Sequence, residues 1–105
     1  MSQPKWITEP DGLHGRALSV WHAYAPGTFK AGYLRSNNSE RFRAMCRALA
    51  VADAAGEAIE RDGVTIELKS GVKRPNPAVK IMFDAQREAG ELLREFGLAE
   101  DASGL

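Results

Sequence analysis

Two long stretches of the chain place apolar residues at three- and four-residue spacing, and a short stretch of strict alternation lies between them. From Pro77 to Phe96 the residues Val79, Met82, Gln86, Ala89, Leu93 and Phe96 define a helical seam of the kind that packs on a partner helix. Ile81, Ala85 and Leu92 flank it on one side, Phe83 and Gly90 on the other, widening the apolar arc to about 200°. Charged residues from Lys80 to Glu95 take the remainder. One neighbouring helix covers only about half of such an arc, so at least two neighbours are expected. Pro77 suits a first helical position because its ring presets φ and its missing N–H has no partner to lose there. Asn76 is the predicted N-cap, and Gly97 the stop.

The second periodic stretch runs from 37 to 62. Phe42, Met45, Leu49, Ala52, Gly56 and Ile59 repeat at the same spacing, with Ala44, Ala48, Val51 and Ala55 broadening the face. Asn37 and Glu40 fit a capping box, with Ser36, Asn38 and Ser39 as rival caps, and Gly63 ends the run. Between the helices Val64, Ile66 and Leu68 alternate, Ser70-Gly71 supplies a turn and Val72 starts a return strand, so residues 64–74 read as a β-hairpin. Folding back through that hairpin pairs Ile59 with Val79, Gly56 with Met82, Ala52 with Gln86 and Leu49 with Ala89. Met45 then meets Leu93, and Phe42 meets Phe96. Small residues face large ones at several levels, as interdigitated packing requires.

Ahead of this hairpin, residues 1–8 read as a flexible lead-in anchored by Trp6. A shorter helix is expected over 10–25, with Ala17, Leu18 and Trp21 on its apolar face and Pro26-Gly27 as its stop. Phe29, Tyr33 and Leu34 lie in a connector tucked beneath the helices, and 99–105 form an acidic tail. The fold class is therefore mainly α: an antiparallel long-helix hairpin joined by a short β-hairpin and preceded by a shorter helix.

Composition changes this picture little; charge order changes it more. The 105 residues carry a formal net charge of zero, so bulk charge gives no argument for nucleic acid. The charges are nevertheless segregated. Lys30, Arg35, Arg41, Arg43 and Arg47 stand against Glu40 alone, and Lys69, Lys73, Arg74 and Lys80 form a block without an acid. Residues 53–62 and 88–105 are acidic blocks. Such alternation fits a basic working surface, and equally fits ordinary solvated helix faces. The basic groups Lys30, Arg35, Arg41, Arg43, Arg47, Lys69, Lys73 and Arg74 are the candidates for phosphate contact through counterion release.

No catalytic constellation emerges. A phosphate-cradling G-x-x-x-x-G-K-[ST] is missing, and His14 and His22 have no ligand-type residue at metal-binding spacing. Cys46 is the single cysteine and reads as a small buried hydrophobe. No cofactor and no metal are expected. The N-terminus lacks a signal-peptide core, and no window approaches the roughly 18 apolar residues of a membrane span.

The chain resembles the small subunit of phage terminase, in the short branch of tailed phages and prophages. The likeness rests on PKW with Trp6, on Ala17 and Trp21 ending in AYAP, and on FRAMCRALAVADAAGEAIERDGVTI from Phe42 to Ile66. Its most specific part is KRPNPAVKIMFDAQREAGELLREFGLAEDA, an Asn-Pro helix start, a long helix and a Gly-Leu ending. The family often opens its second helix with Asp, where this chain has Asn38 or Ser39. The resemblance implies one terminase-small-subunit-like domain over 1–105, a non-catalytic factor of viral genome packaging working in the host cytoplasm. Implied partners are further copies of itself in a ring, double-stranded viral DNA, and the large subunit carrying ATPase and nuclease.

The wide apolar arc is the physical ground for expecting oligomerisation. Phe42, Met45, Leu49, Ile59, Val79, Ile81, Met82, Phe83, Leu92, Leu93 and Phe96 are the residues expected to serve the core or the contact between copies. Charge reversal at Arg43 and Arg47 is expected to weaken DNA binding. Two other readings fit the residues: a small dimeric DNA-binding regulator, and a helical interaction module that never touches DNA.

Overall fold

The structure, a computed structural model, describes residues 3–98. In chain order it contains α1 (Lys5–Thr8), α2 (Gly15–Lys30), a 3-10 turn (Ser36–Asn38) and α3 (Ser39–Asp62). There follow β1 (Thr65–Glu67), β2 (Lys73–Pro75) and α4 (Pro77–Glu95). The strands form one antiparallel pair, so the fold is mainly helical with a small β-hairpin at the turn between its two longest helices. The acidic tail at 99–105 lies outside the described residues.

α3 and α4 lie antiparallel in the register read from the sequence. Phe42 meets Phe96 edge to face with ring centroids 4.9 Å apart, and a Cβ added at Gly56 would stand 3.9 Å from Met82 Sδ. The rotation of α4 about its axis differs from expectation. Its buried line is Ala85, Ala89, Leu92 and Phe96, not the line through Met82, Gln86 and Leu93. Gln86 is exposed at the edge of the seam and Leu93 half-buried. Turning the helix this way puts alanines at the closest approach and keeps an amide out of the interior, where an unpaired polar group is costly. Leu49, Ile59, Val79 and Met82 are half-buried, while Ile81 and Phe83 are 49% and 59% exposed.

Asn76 holds the hairpin to both helices. Its Oδ1 accepts from the Ala78 backbone N–H at 3.0 Å, the expected N-cap of α4. Its Nδ2 donates to the Gly63 carbonyl, just past the end of α3, at 2.8 Å, and its own N–H donates to the Val64 carbonyl at 2.8 Å. The capping box at the start of α3 does not form. Glu40 pairs with Arg43, and Asn38 instead ties the preceding turn, accepting from the Arg35 N–H at 2.7 Å and donating to the Tyr33 carbonyl at 2.9 Å.

The N-terminal third corrects two expectations. Residues 5–8 are a helical turn, because Ile7 is fully buried and Trp6 packs edge to face on Phe29 at 5.8 Å. The first long helix does not occupy 10–25; it begins at Gly15 and passes through Pro26 to Lys30. A proline inside a helix deletes one hydrogen bond and crowds the carbonyl four residues back, at a cost of about 3 kcal/mol. That carbonyl belongs to exposed His22, where solvent can satisfy it, and continuing the helix buries Thr28 and places Phe29 on Trp6. The helix stops at Gly32, whose N–H bonds to the Phe29 carbonyl while Tyr33 N–H reaches the Thr28 carbonyl at 3.1 Å. This double closure requires a left-handed residue, and Gly32 has φ +88°.

The core gathers at one end, here called the base. Trp21, Phe42 and Phe96 form a chain of edge-to-face rings, and Trp21 Nε1 donates to the Ile7 carbonyl at 2.7 Å. One indole thus ties α1, α2 and α3 together, and Phe42 passes the packing on to α4. Each such aromatic pair adds about 0.5–1.5 kcal/mol beyond its area burial. Leu34, Met45 and Cys46 complete the fully buried set. Beyond the base the α3–α4 pair projects as a thin layer. The radius of gyration is 16.8 Å, against about 13 Å for a compact chain of this length.

Candidate nucleic-acid interface

The hairpin occupies the end opposite the base, here called the tip. α3 separates the two by about 36 Å at 1.5 Å per residue. Strand register sets Ile66 opposite Arg74 and Glu67 opposite Lys73. Directly opposed residues share a face of a β-pair, so Arg74 stands beside the apolar row and Lys73 beside a carboxylate. Leu68 to Val72 make a three-residue loop: Gly71 N–H donates to the Leu68 carbonyl at 2.8 Å, and Leu68 N–H to the Val72 carbonyl at 2.9 Å. That loop carries Lys69 at its outer corner.

The structure divides the eight basic candidates. Arg41 donates to both Glu95 oxygens, at 2.8 and 3.0 Å. Arg43 pairs with Glu40, and its side chain is only 15% exposed. Arg47 donates to the Gly12 carbonyl at 3.2 Å, fastening the α1–α2 connection onto α3. These three guanidiniums already have partners within the chain, and reversing Arg43 would strand Glu40 beside a like charge. Lys30, Arg35, Lys69, Lys73 and Arg74 are exposed and have no carboxylate within ion-pair distance among the described residues. Lys69, Lys73 and Arg74 are brought together at the tip. Lys30 and Arg35 sit at the base, so a single copy has no continuous basic face.

A contact invisible in the spacing joins α2 to the middle of α3. Arg16 grips Asp53 at 2.5 Å and also Glu57. The hydrogen bond from Arg16 holds the Glu57 carboxyl below its ordinary range, and raises the Arg16 pKa in turn. Asp84 is likewise held low, chiefly by its hydrogen bond from Lys80 at 2.7 Å, with Arg87 adding to it. Burial pushes the Cys46 thiol up to about 12, so at neutral pH it is a packed, protonated core group. Among the described residues no three metal-type side chains cluster, and no helix is long and apolar enough to cross a membrane.

Fold and surface together define a class: a small, elongated helical-hairpin protein whose β-tip, remote from its core, carries three exposed cations. Within that class the sequence is specific. Residues 17–103 match the family described as phage terminase, small subunit, and the chain belongs to that family. The matched span begins in α2 and covers α3, both strands and α4. Comparison with curated proteins and with solved structures returns no match.

Proposed function

We propose that the protein is the non-catalytic DNA-binding component of a phage genome-packaging terminase. It binds double-stranded viral DNA, assembles with copies of itself into a ring, and delivers the DNA to the large subunit in the host cytoplasm. Family membership over residues 17–103 carries this reading. Two features of the molecule support it. The exposed cations Lys69, Lys73 and Arg74 sit at one end of an elongated molecule, where they can touch a phosphate backbone without disturbing the core. The α3–α4 layer leaves Val51, Ile81 and Phe83 uncovered in a single copy, which self-association would bury.

A tip with so few cations binds DNA weakly by itself; a ring repeating it raises the effective concentration of each further contact. The test is a DNA titration across salt concentrations, comparing wild type with a Lys69→Ser/Lys73→Ser/Arg74→Ser variant. Deleting one phosphate-bound cation should flatten the log–log salt slope by about 0.9, and deleting all three by up to about 2.7 for each tip engaged. An unchanged slope, with assembly intact, would remove the tip from the DNA interface. Lys30 and Arg35 at the base are the next candidates.

A further inference from the structure

Strand register sorts the β-hairpin into two unlike faces. The pairs Ile66–Arg74 and Leu68–Val72 share one face with Val64, while Thr65–Pro75 and Glu67–Lys73 share the other. The first face is an apolar row with one cation in its middle. Val64, Leu68 and Val72 are 65%, 37% and 54% exposed, and Ile66 is half-buried. Arg74 is exposed and has no carboxylate within ion-pair distance among the described residues. The second face is polar and carries its own countercharge at Glu67. Contact with phosphate alone uses none of the apolar row, so the row calls for a further role.

We infer that this face reads base sequence: the hairpin lies in the major groove, with Arg74 on a guanine and Leu68 and Val72 on thymine methyl groups. This rests on the proposed DNA-binding role and says which face of the tip carries specificity. The dimensions agree. Paired strands lie about 4.8 Å apart, and the major groove, about 12 Å wide, admits a two-stranded ribbon, whereas the minor groove is only about 6 Å wide. The chemistry agrees as well. Guanine O6 and N7 offer the paired acceptors that a guanidinium fits, and the thymine C5 methyl supplies an apolar contact. A protein partner fits less well. An apolar surface pressed on this face would bury Arg74 without a countercharge, which is costly. A second hairpin set face to face by a two-fold axis would bring two unpaired Arg74 guanidiniums together. Lys69 at the loop corner and Lys73 on the opposite face remain for the phosphates along the groove walls. Alternate residues of a strand are about 6.8 Å apart, close to the rise of two base pairs. The thymine contacts therefore fall about two base pairs from the guanine.

In the experiment the full wild-type chain selects duplexes from a random-sequence pool. The enriched duplex is then remade with uracil for thymine, which removes the methyl, or with 7-deazaguanine for guanine, which removes the N7 acceptor. A guanine with thymine about two base pairs away should be enriched. Uracil should weaken wild-type binding about fourfold per buried methyl. Arg74→Ala should weaken binding to the unmodified duplex about 5- to 150-fold, the range for a bidentate base contact. Leu68→Ser/Val72→Ser should be indifferent to uracil, and Arg74→Ala to 7-deazaguanine, both with wild-type helix content by circular dichroism. The serine variant, which removes no charge, should also keep the wild-type salt slope and the wild-type mass in native mass spectrometry. Variants that lose as much on modified DNA as wild type does would show that other residues read the bases, and would overturn the inference. So would a pool without enrichment, or modified duplexes bound like the parent, in which case the tip meets phosphate alone and the DNA-binding role stands. Loss of assembly in the serine variant would make the face a protein contact, again overturning it. A wild type that binds no duplex would defeat the DNA-binding role itself.

Discussion

Replacing Asn76 tests whether one amide holds the tip to both long helices. In Asn76→Ala the α4 N-cap is removed, at about 1 kcal/mol. The Gly63 carbonyl also loses its donor, but Gly63 is exposed, so water can replace it and the loss is that of one net hydrogen bond, about 0.5–1.5 kcal/mol. Together with the lost cap, the expected destabilisation is about 1.5–2.5 kcal/mol. Asn76→Asp separates the two roles. A carboxylate still accepts from Ala78 N–H and is favoured by the helix dipole, but it cannot donate to Gly63. Stability should therefore fall in the order Asn, Asp, Ala. Urea unfolding followed by circular dichroism, at several protein concentrations so that any assembly is accounted for, measures both variants. An alanine variant within about 0.5 kcal/mol of wild type, or an aspartate variant equal to it, would refute the bridging role, since surface changes away from such features fall within that range.

At the base, Gly97→Ala should cost about 1–2 kcal/mol in denaturant unfolding. Its φ is +70° and an added Cβ would stand 3.0 Å from the Tyr33 ring; Tyr33→Ala should recover the steric part only. Because Arg16 holds Glu57 low, that pair stabilises the fold above the ordinary carboxylate pKa of about 4.3 and loses its effect as pH falls through the lower folded value. Thermal melts below about pH 4.3 should accordingly show a shallower acid loss in Arg16→Ala than in wild type. Cys46 should resist a thiol reagent at pH 8 until the core opens, and Phe42→Ala should speed its labelling; rapid modification of the folded protein would contradict its burial.

Much of this architecture was legible because it depends on periodicity and local chemistry. The seams fixed the antiparallel register of α3 on α4, and Asn76-Pro77 marked the start of α4. What escaped depends on contacts between distant residues. Pro26 is a strong local stop, yet Trp6 and Phe29 override it from opposite ends of the N-terminal segment. The rotation of α4 turned on whether Ala85 or Gln86 faces α3, and spacing alone weighs both lines nearly equally. For the candidate interface, counting basic residues singled out segments but could not tell an available cation from an occupied one. Arg41 finds Glu95 across 54 residues, and Arg47 finds the Gly12 carbonyl across 35. No signal in the sequence pairs Arg16 with Asp53 and Glu57, which come together only once α2 crosses α3.

Every fully buried large side chain, from Trp21 to Phe96, belongs to the base, and the loop through Lys69 contributes none. Stability and tip sequence are thus kept in separate parts of the molecule. Lengthening the loop or grafting another onto the Leu68 and Val72 positions should change the far end alone, leaving the ring stack around Phe42 undisturbed.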